Sequence, residues 1–328
     1  MDIPNWLIYA VAFAWGSVWG SFLNVCIYRI PEGLSVVTPG SRCPSCGTAI
    51  KPWHNIPILS WVLLRGRCAY CKESFSPRYA LVELLTGVLS MAVMAQVLHR
   101  ADLTSGVTLV ALPFLFQFAF VAALLVIAFI DIDHMIIPNG ITLPGVLVGV
   151  VAALVVHPET GVVWWQSLLG AAVGGGFILG LIWGYALLTG REGMGLGDFK
   201  LMAMVGAFLG IQSLPFVLFA AALQGLFYAL IAFLSGGAEA HRAQLAEAEA
   251  AEAARQEPTA SENPANDLEE SEDDETDGDD QKITKEADDE GTLRSMPIPF
   301  GPFIVLASIE WLFFGPPLLD WVFSTMGL

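Results

Sequence analysis

Long apolar stretches recur along this chain, and they decide its solvent before any other feature is considered. A helix needs roughly 20 apolar residues to cross a bilayer. Stretches near or beyond that length occupy 6–28, 79–98, 107–130, 138–157, 162–188, 214–235 and 297–314. A shorter run, 199–211, makes an eighth. Residues 201–238 carry no charge, but Gln212, Ser213 and Pro215 punctuate them, so the segment divides better into two helices than one. The pattern predicts an all-α polytopic membrane protein of about eight transmembrane helices, in keeping with 55% hydrophobic and only 14% charged residues.

Charge is distributed very unevenly. The net charge is -17, but residues 236–296 hold 20 Asp/Glu against 5 Lys/Arg, which leaves about -2 for the rest. No strongly basic surface is available to neutralise phosphates, which excludes nucleic acid as a partner. With the N-terminus outside, the segments 29–78, 131–137, 189–198 and 236–296, with Lys200 at a boundary, carry 14 of the 15 basic residues on the inner face. Only Arg100 falls outside. Met1 to Tyr28 lacks a basic leader region and a small-residue cleavage site, and reads as a retained anchor.

The expected organisation is a first transmembrane helix at 1–28, a cytoplasmic cysteine-bearing loop at 29–78, a transmembrane core at 79–235, the acidic insert at 236–296, and a last helix and tail at 297–328. The insert has almost no aromatic or branched apolar residue to offset ordering entropy, so it is expected to be mostly disordered. Small residues at four-residue intervals (Gly170, Gly174; Gly176, Gly180, Gly184) predict close helix packing in the fifth span.

The 29–78 loop reads Cys43-Pro-Ser-Cys46 and, 21 residues on, Cys68-Ala-Tyr-Cys71. Two such pairs supply four thiolates for a tetrahedral zinc site that is closed, hence structural, since no position is left for an activated water. A reducing inner face argues against disulfides. A redox role for the pairs is the alternative. Cys26 reads as a buried apolar residue and His54 as a surface histidine.

Acids in or beside apolar spans are costly and need a reason. Asp131 ends the charge-free run 107–130, in Asp131-Ile-Asp133-His134-Met-Ile-Ile-Pro138-Asn139, and Asp198 follows Gly195-Leu-Gly197. Sixty-six residues apart, both fall at the inner face, so a pair can form. Two adjacent carboxylates share a proton, and one then acts as base on water while the other donates to a carbonyl oxygen. The plainer alternative makes Asp198 a helix cap and Asp131 and Asp133 solvated loop residues.

Together with Gly20-Ser-Phe-Leu-Asn-Val25, Tyr28-Arg-Ile-Pro31 and Ile298-Pro-Phe-Gly-Pro302, these segments resemble the type IV prepilin peptidases. These are bifunctional leader peptidase/N-methyltransferases of bacterial inner membranes, within the GxGD class of intramembrane aspartic proteases. The resemblance covers nearly the whole chain outside 236–296. It implies Asp131 and Asp198 as the catalytic pair, with Asp133 the weaker competitor, and Cys43, Cys46, Cys68 and Cys71 as ligands of a structural zinc. It further implies prepilin or type II secretion pseudopilin substrates, cut after Gly behind a short basic leader at the cytoplasmic face. Methylation of the new N-terminus by S-adenosylmethionine is also implied, although no residue pattern points to a methyl-donor site. Apart from the resemblance, interfacial carboxylates and Gly-rich spans also suit a cation or proton transporter.

Overall fold

The computed structural model describes residues 4–100, 107–156, 161–190, 195–234 and 299–326. Two compact units divide the chain: Met1–Leu226 with Pro299–Leu328, and Phe227–Ile298. Of the second unit only the last turns of one helix, to Leu234, are described. The acidic insert 236–296 and its expected disorder lie outside the described residues.

Eight long helices occur among the described residues: α1 (Asn5–Arg29), α3 (Arg78–Arg100), α4 (Val107–His134), α5 (Asn139–Val155), α6 (Trp164–Thr189), α7 (Leu196–Leu209), α8 (Leu214–Leu234) and α9 (Gly301–Met326), with a one-turn helix α2 (Leu59–Leu63) in the cysteine loop. All eight expected segments are helical. Six of these helices are long and apolar enough to span a membrane. The other two, α5 and α7, measure about 25 and 21 Å at 1.5 Å per residue.

Close packing sets where the helices lie. α1 meets α3 through small residues: a side-chain carbon on Gly16 would lie 2.6 Å from the Thr86 carbonyl oxygen, and the Ser90 hydroxyl donates to the Ala12 carbonyl at 2.7 Å. α7 is enclosed on several sides. Gly145 and Gly149 of α5 admit Met204 and Ala207, while Gly170 of α6 rests on Gly206. Leu201, Met202, Met204 and Val205 of α7 are fully buried, as are Leu124, Ile127 and Ile130 of α4 and Ile304 of α9. A helix hydrophobic all round belongs at a bundle centre.

The expected glycine stripe on α6 is only half a packing seam. Gly170 and Gly174 face α7, but Gly176, Gly180 and Gly184 have nothing within 4 Å. At about 100° per residue, Gly176 lies about 240° round the helix from Gly170, on a different face.

Candidate active site and metal centre

α4 runs one turn further than its apolar pattern, so Asp131 and Asp133 lie within the helix and not in a loop beyond it. The two acids have different surroundings. Asp133 is exposed and takes both terminal nitrogens of the Arg78 guanidinium, at 2.6 and 2.7 Å, joining the start of α3 to the end of α4. Asp131 is only 4% exposed and faces the bundle. Met135 at φ 53° ends the helix, and the chain turns through Ile137 into α5 behind Pro138.

Asp198, 7% exposed, occupies the first turn of α7, where the positive end of the helix dipole favours a carboxylate. Ile137, on the turn that follows Asp131, lies against both Gly197 and Gly301, and the Asp131 carboxyl group also lies against Gly301, so the two acids come to the same end of the bundle. Two glycines make this convergence possible. A side-chain carbon on Gly197 would stand 2.8 Å from Ile137 Cβ, and one on Gly301, at the start of α9, would run into the Asp131 carboxyl group, 3.1 Å from its Cγ. Gly301 also gives a backbone hydrogen bond to that carboxyl group, while its Oδ2 is buried with no hydrogen-bond partner. An orphaned carboxylate oxygen in an apolar wall calls for a proton, a water or a substrate group.

A second tie crosses the site. Lys200 Nζ donates to Asn139 Oδ1 at 2.6 Å, linking the α7 segment to the start of α5. Neither this contact nor the Arg78–Asp133 pair follows from the sequence pattern.

The four loop cysteines come together. Their Sγ atoms all lie within 4.8 Å of one another, with Cys43 and Cys71 at 3.8 Å, and no pair is bonded. Tetrahedral Zn–S bonds of 2.3 Å imply sulfur separations of about 3.8 Å, so the cluster has the span that zinc needs. Each pair sits on a matching turn: Cys43 and Cys68 N–H groups donate to the Thr48 and Glu73 carbonyls, and Gly47 and Lys72, one residue past each pair, both have positive φ. The Thr48 hydroxyl and N–H beside Cys46 hold its thiol down at about 6. The Cys71 and Tyr70 N–H groups likewise hold Cys68 below the ordinary thiol range, whereas, against the Glu73 N–H, burial and the three neighbouring cysteines push Cys71 up to about 12. Thiolates are the form that binds metal. Cys26 is buried in α1, as expected. His54 differs from expectation: it is half-buried, and its Nδ1 is enclosed with no partner.

A polytopic helical membrane protein with a four-cysteine loop and a converging pair of buried acids is the class that fold and site define. Residues 14–97 match the bacterial peptidase A24 N-terminal domain, and residues 118–230 match the type IV leader peptidase family. Among similar proteins is the prepilin leader peptidase/N-methyltransferase of Dichelobacter nodosus, 38% identical over 241 residues, covering 64% of this chain and 78% of the relative. Proteins of the same name from Aeromonas hydrophila (39% over 251 residues, 68% and 80%) and Neisseria gonorrhoeae (38% over 247 residues, 68% and 81%) are equally similar. No solved structure gives a significant match. The chain belongs to the type IV leader peptidase family.

Proposed function

We propose that this protein is a prepilin peptidase and N-methyltransferase of the bacterial inner membrane, in which Asp131 and Asp198 hydrolyse the leader peptide bond. The observation that carries the peptidase assignment is the convergence of these two buried carboxylates from the end of α4 and the start of α7, beneath the Gly301 backbone. The family assignment removes the support for a transporter.

The pair works with one proton between its carboxyl groups. The ionised member takes a proton from a water as its oxygen attacks the scissile carbonyl. The protonated member gives its proton to that carbonyl's oxygen. Collapse of the tetrahedral intermediate returns a proton to the departing amine. Gly197 and Gly301 let Ile137 and the Asp131 carboxyl group pack close against the starts of α7 and α9, and Arg78 holds Asp133 out of the reaction.

In this reading the substrates are type IV prepilins or pseudopilins cut after Gly at the cytoplasmic face. The new N-terminus is then methylated at the expense of S-adenosylmethionine. Cys43, Cys46, Cys68 and Cys71 hold a structural zinc that fixes the loop and leaves no ligand position for chemistry. The positive-inside distribution supports a cytoplasmic position for the loop and both aspartates.

The test is incubation of purified protein with a peptide carrying a basic leader, Gly, Phe and an apolar run, followed by mass. Cleavage after Gly that Asp131→Asn and Asp198→Asn each remove is the expected result. Full cleavage by either folded variant sinks the assigned pair.

A further inference from the structure

A cavity of about 510 Å3 opens between the cysteine loop and the inner ends of α1 and α3, apart from the aspartate pair. Its volume falls in the range of small-molecule sites. The wall combines three features that the peptidase reaction does not use.

One is a buried carboxylate. Glu83 on α3 is 8% exposed, and its Oε2 accepts the Ile58 N–H at 2.8 Å. No cation pairs with it among the described residues. Such a group is costly to keep ionised, and a positive charge brought beside it offsets that cost. Ile58 itself has φ 62°, a conformation that a β-branched residue rarely adopts, so strain is held where the loop meets this carboxylate.

The second is an unpartnered polar atom. His54 Nδ1 is buried without a hydrogen bond, and its ring stands edge-on to Tyr70 at 5.8 Å. The third is aromatic surface. Trp61, packed over Gly66, faces the cavity with Tyr28 and Tyr79. Flat rings accept a purine, and their faces attract a cation.

We infer that this cavity binds the methyl donor, an adenosyl sulfonium, with the cation drawn to Glu83 and the aromatic walls, and a polar end of the ligand met by His54. The inference rests on the methyltransferase reading above and gives it a location. Methyl transfer needs the new N-terminal ammonium to release a proton to water. The amine lone pair then bonds the methyl carbon, and sulfur keeps the C–S pair as a neutral thioether. The product has a short way to travel. Glu83 lies five residues beyond Arg78, about 7.5 Å along α3, and Arg78 grips Asp133, two residues from Asp131.

The experiment measures binding of labelled S-adenosylmethionine to the full chain in detergent by equilibrium dialysis, with peptide cleavage and methylation followed in parallel. Glu83→Gln and His54→Ala should each weaken binding at least tenfold and lower methylation in step, while cleavage stays within about twofold. Tight binding by both variants, with wild type binding and methylating, overturns the cavity assignment alone. A wild-type chain that cleaves but neither binds nor methylates overturns the methyltransferase reading and the assignment with it. If Glu83→Gln also loses cleavage through misfolding, photocrosslinking of the donor to wild type decides. Label on residues 24–28 or 53–83 supports the site, and label on α5 to α9 overturns it.

Discussion

Lys200 reaches across 61 residues of sequence to place its ammonium 2.6 Å from the Asn139 side-chain oxygen. The bond joins the two segments that carry the acids: Asn139 opens α5 just after the Asp131 turn, and Lys200 stands two residues beyond Asp198. Lys200→Met should therefore lower kcat for cleavage about tenfold or more by loosening the spacing of the pair, with KM little changed. Asn139→Ala should do the same, and the double variant should be no worse than either single one. Additive losses would mean that the contact does not act as a unit.

The acids of α4 should separate sharply in function. Asp131→Asn and Asp198→Asn are expected to cost on the order of 100-fold to 10,000-fold in cleavage. Asp133→Asn weakens a half-exposed ion pair and should cost about 1 kcal/mol of stability or less, with less than tenfold loss of activity. Parallel rates for the three variants and a thermal melt of each distinguish these outcomes.

Steric predictions follow from the glycines. Gly301→Ala drives a methyl group into the Asp131 carboxyl group and Gly197→Ala drives one into Ile137, so both should reduce cleavage by about 100-fold. Gly180→Ala, with nothing within 4 Å, should leave cleavage and the melting temperature unchanged. An inactive Gly180→Ala would contradict the packing described for α6.

Metal content should track the thiolates. Zinc should be found at one per chain and be lost on Cys43→Ser or Cys68→Ser. It should also be lost as the pH falls, because low pH protonates the thiols that must bind as thiolates. Cys43 and Cys68 also face the cavity beside Glu83, so stripping zinc should impair methylation more than cleavage. Metal analysis with both assays on one chelated sample checks this.

Hydropathy made the helices legible because each must satisfy its backbone inside lipid, and that demand leaves a long apolar run. The cost of acids near such runs made Asp131 and Asp198 legible too. The same argument applied to Glu83, an acid within the 79–98 run, would have led to the cavity beside the cysteine loop. Partners are another matter. Nothing in the pattern ties Arg78 to Asp133 or Lys200 to Asn139, because those bonds depend on which helix ends meet. The α6 glycines show the complementary limit: spacing names residues that could pack closely, but only the neighbouring helix decides which face does.

α7, which carries Asp198, and α5, which follows the Asp131 turn, fall short of the roughly 30 Å of hydrocarbon in a typical bilayer. Leu143, Leu147 and Leu154 leave an apolar flank of α5 uncovered by the protein. Thinning of the bilayer is one response to so short a flank, and it would bring headgroups and water closer to the carboxylates. Cleavage by the protein reconstituted in bilayers of increasing acyl-chain length should therefore slow as the hydrocarbon thickens.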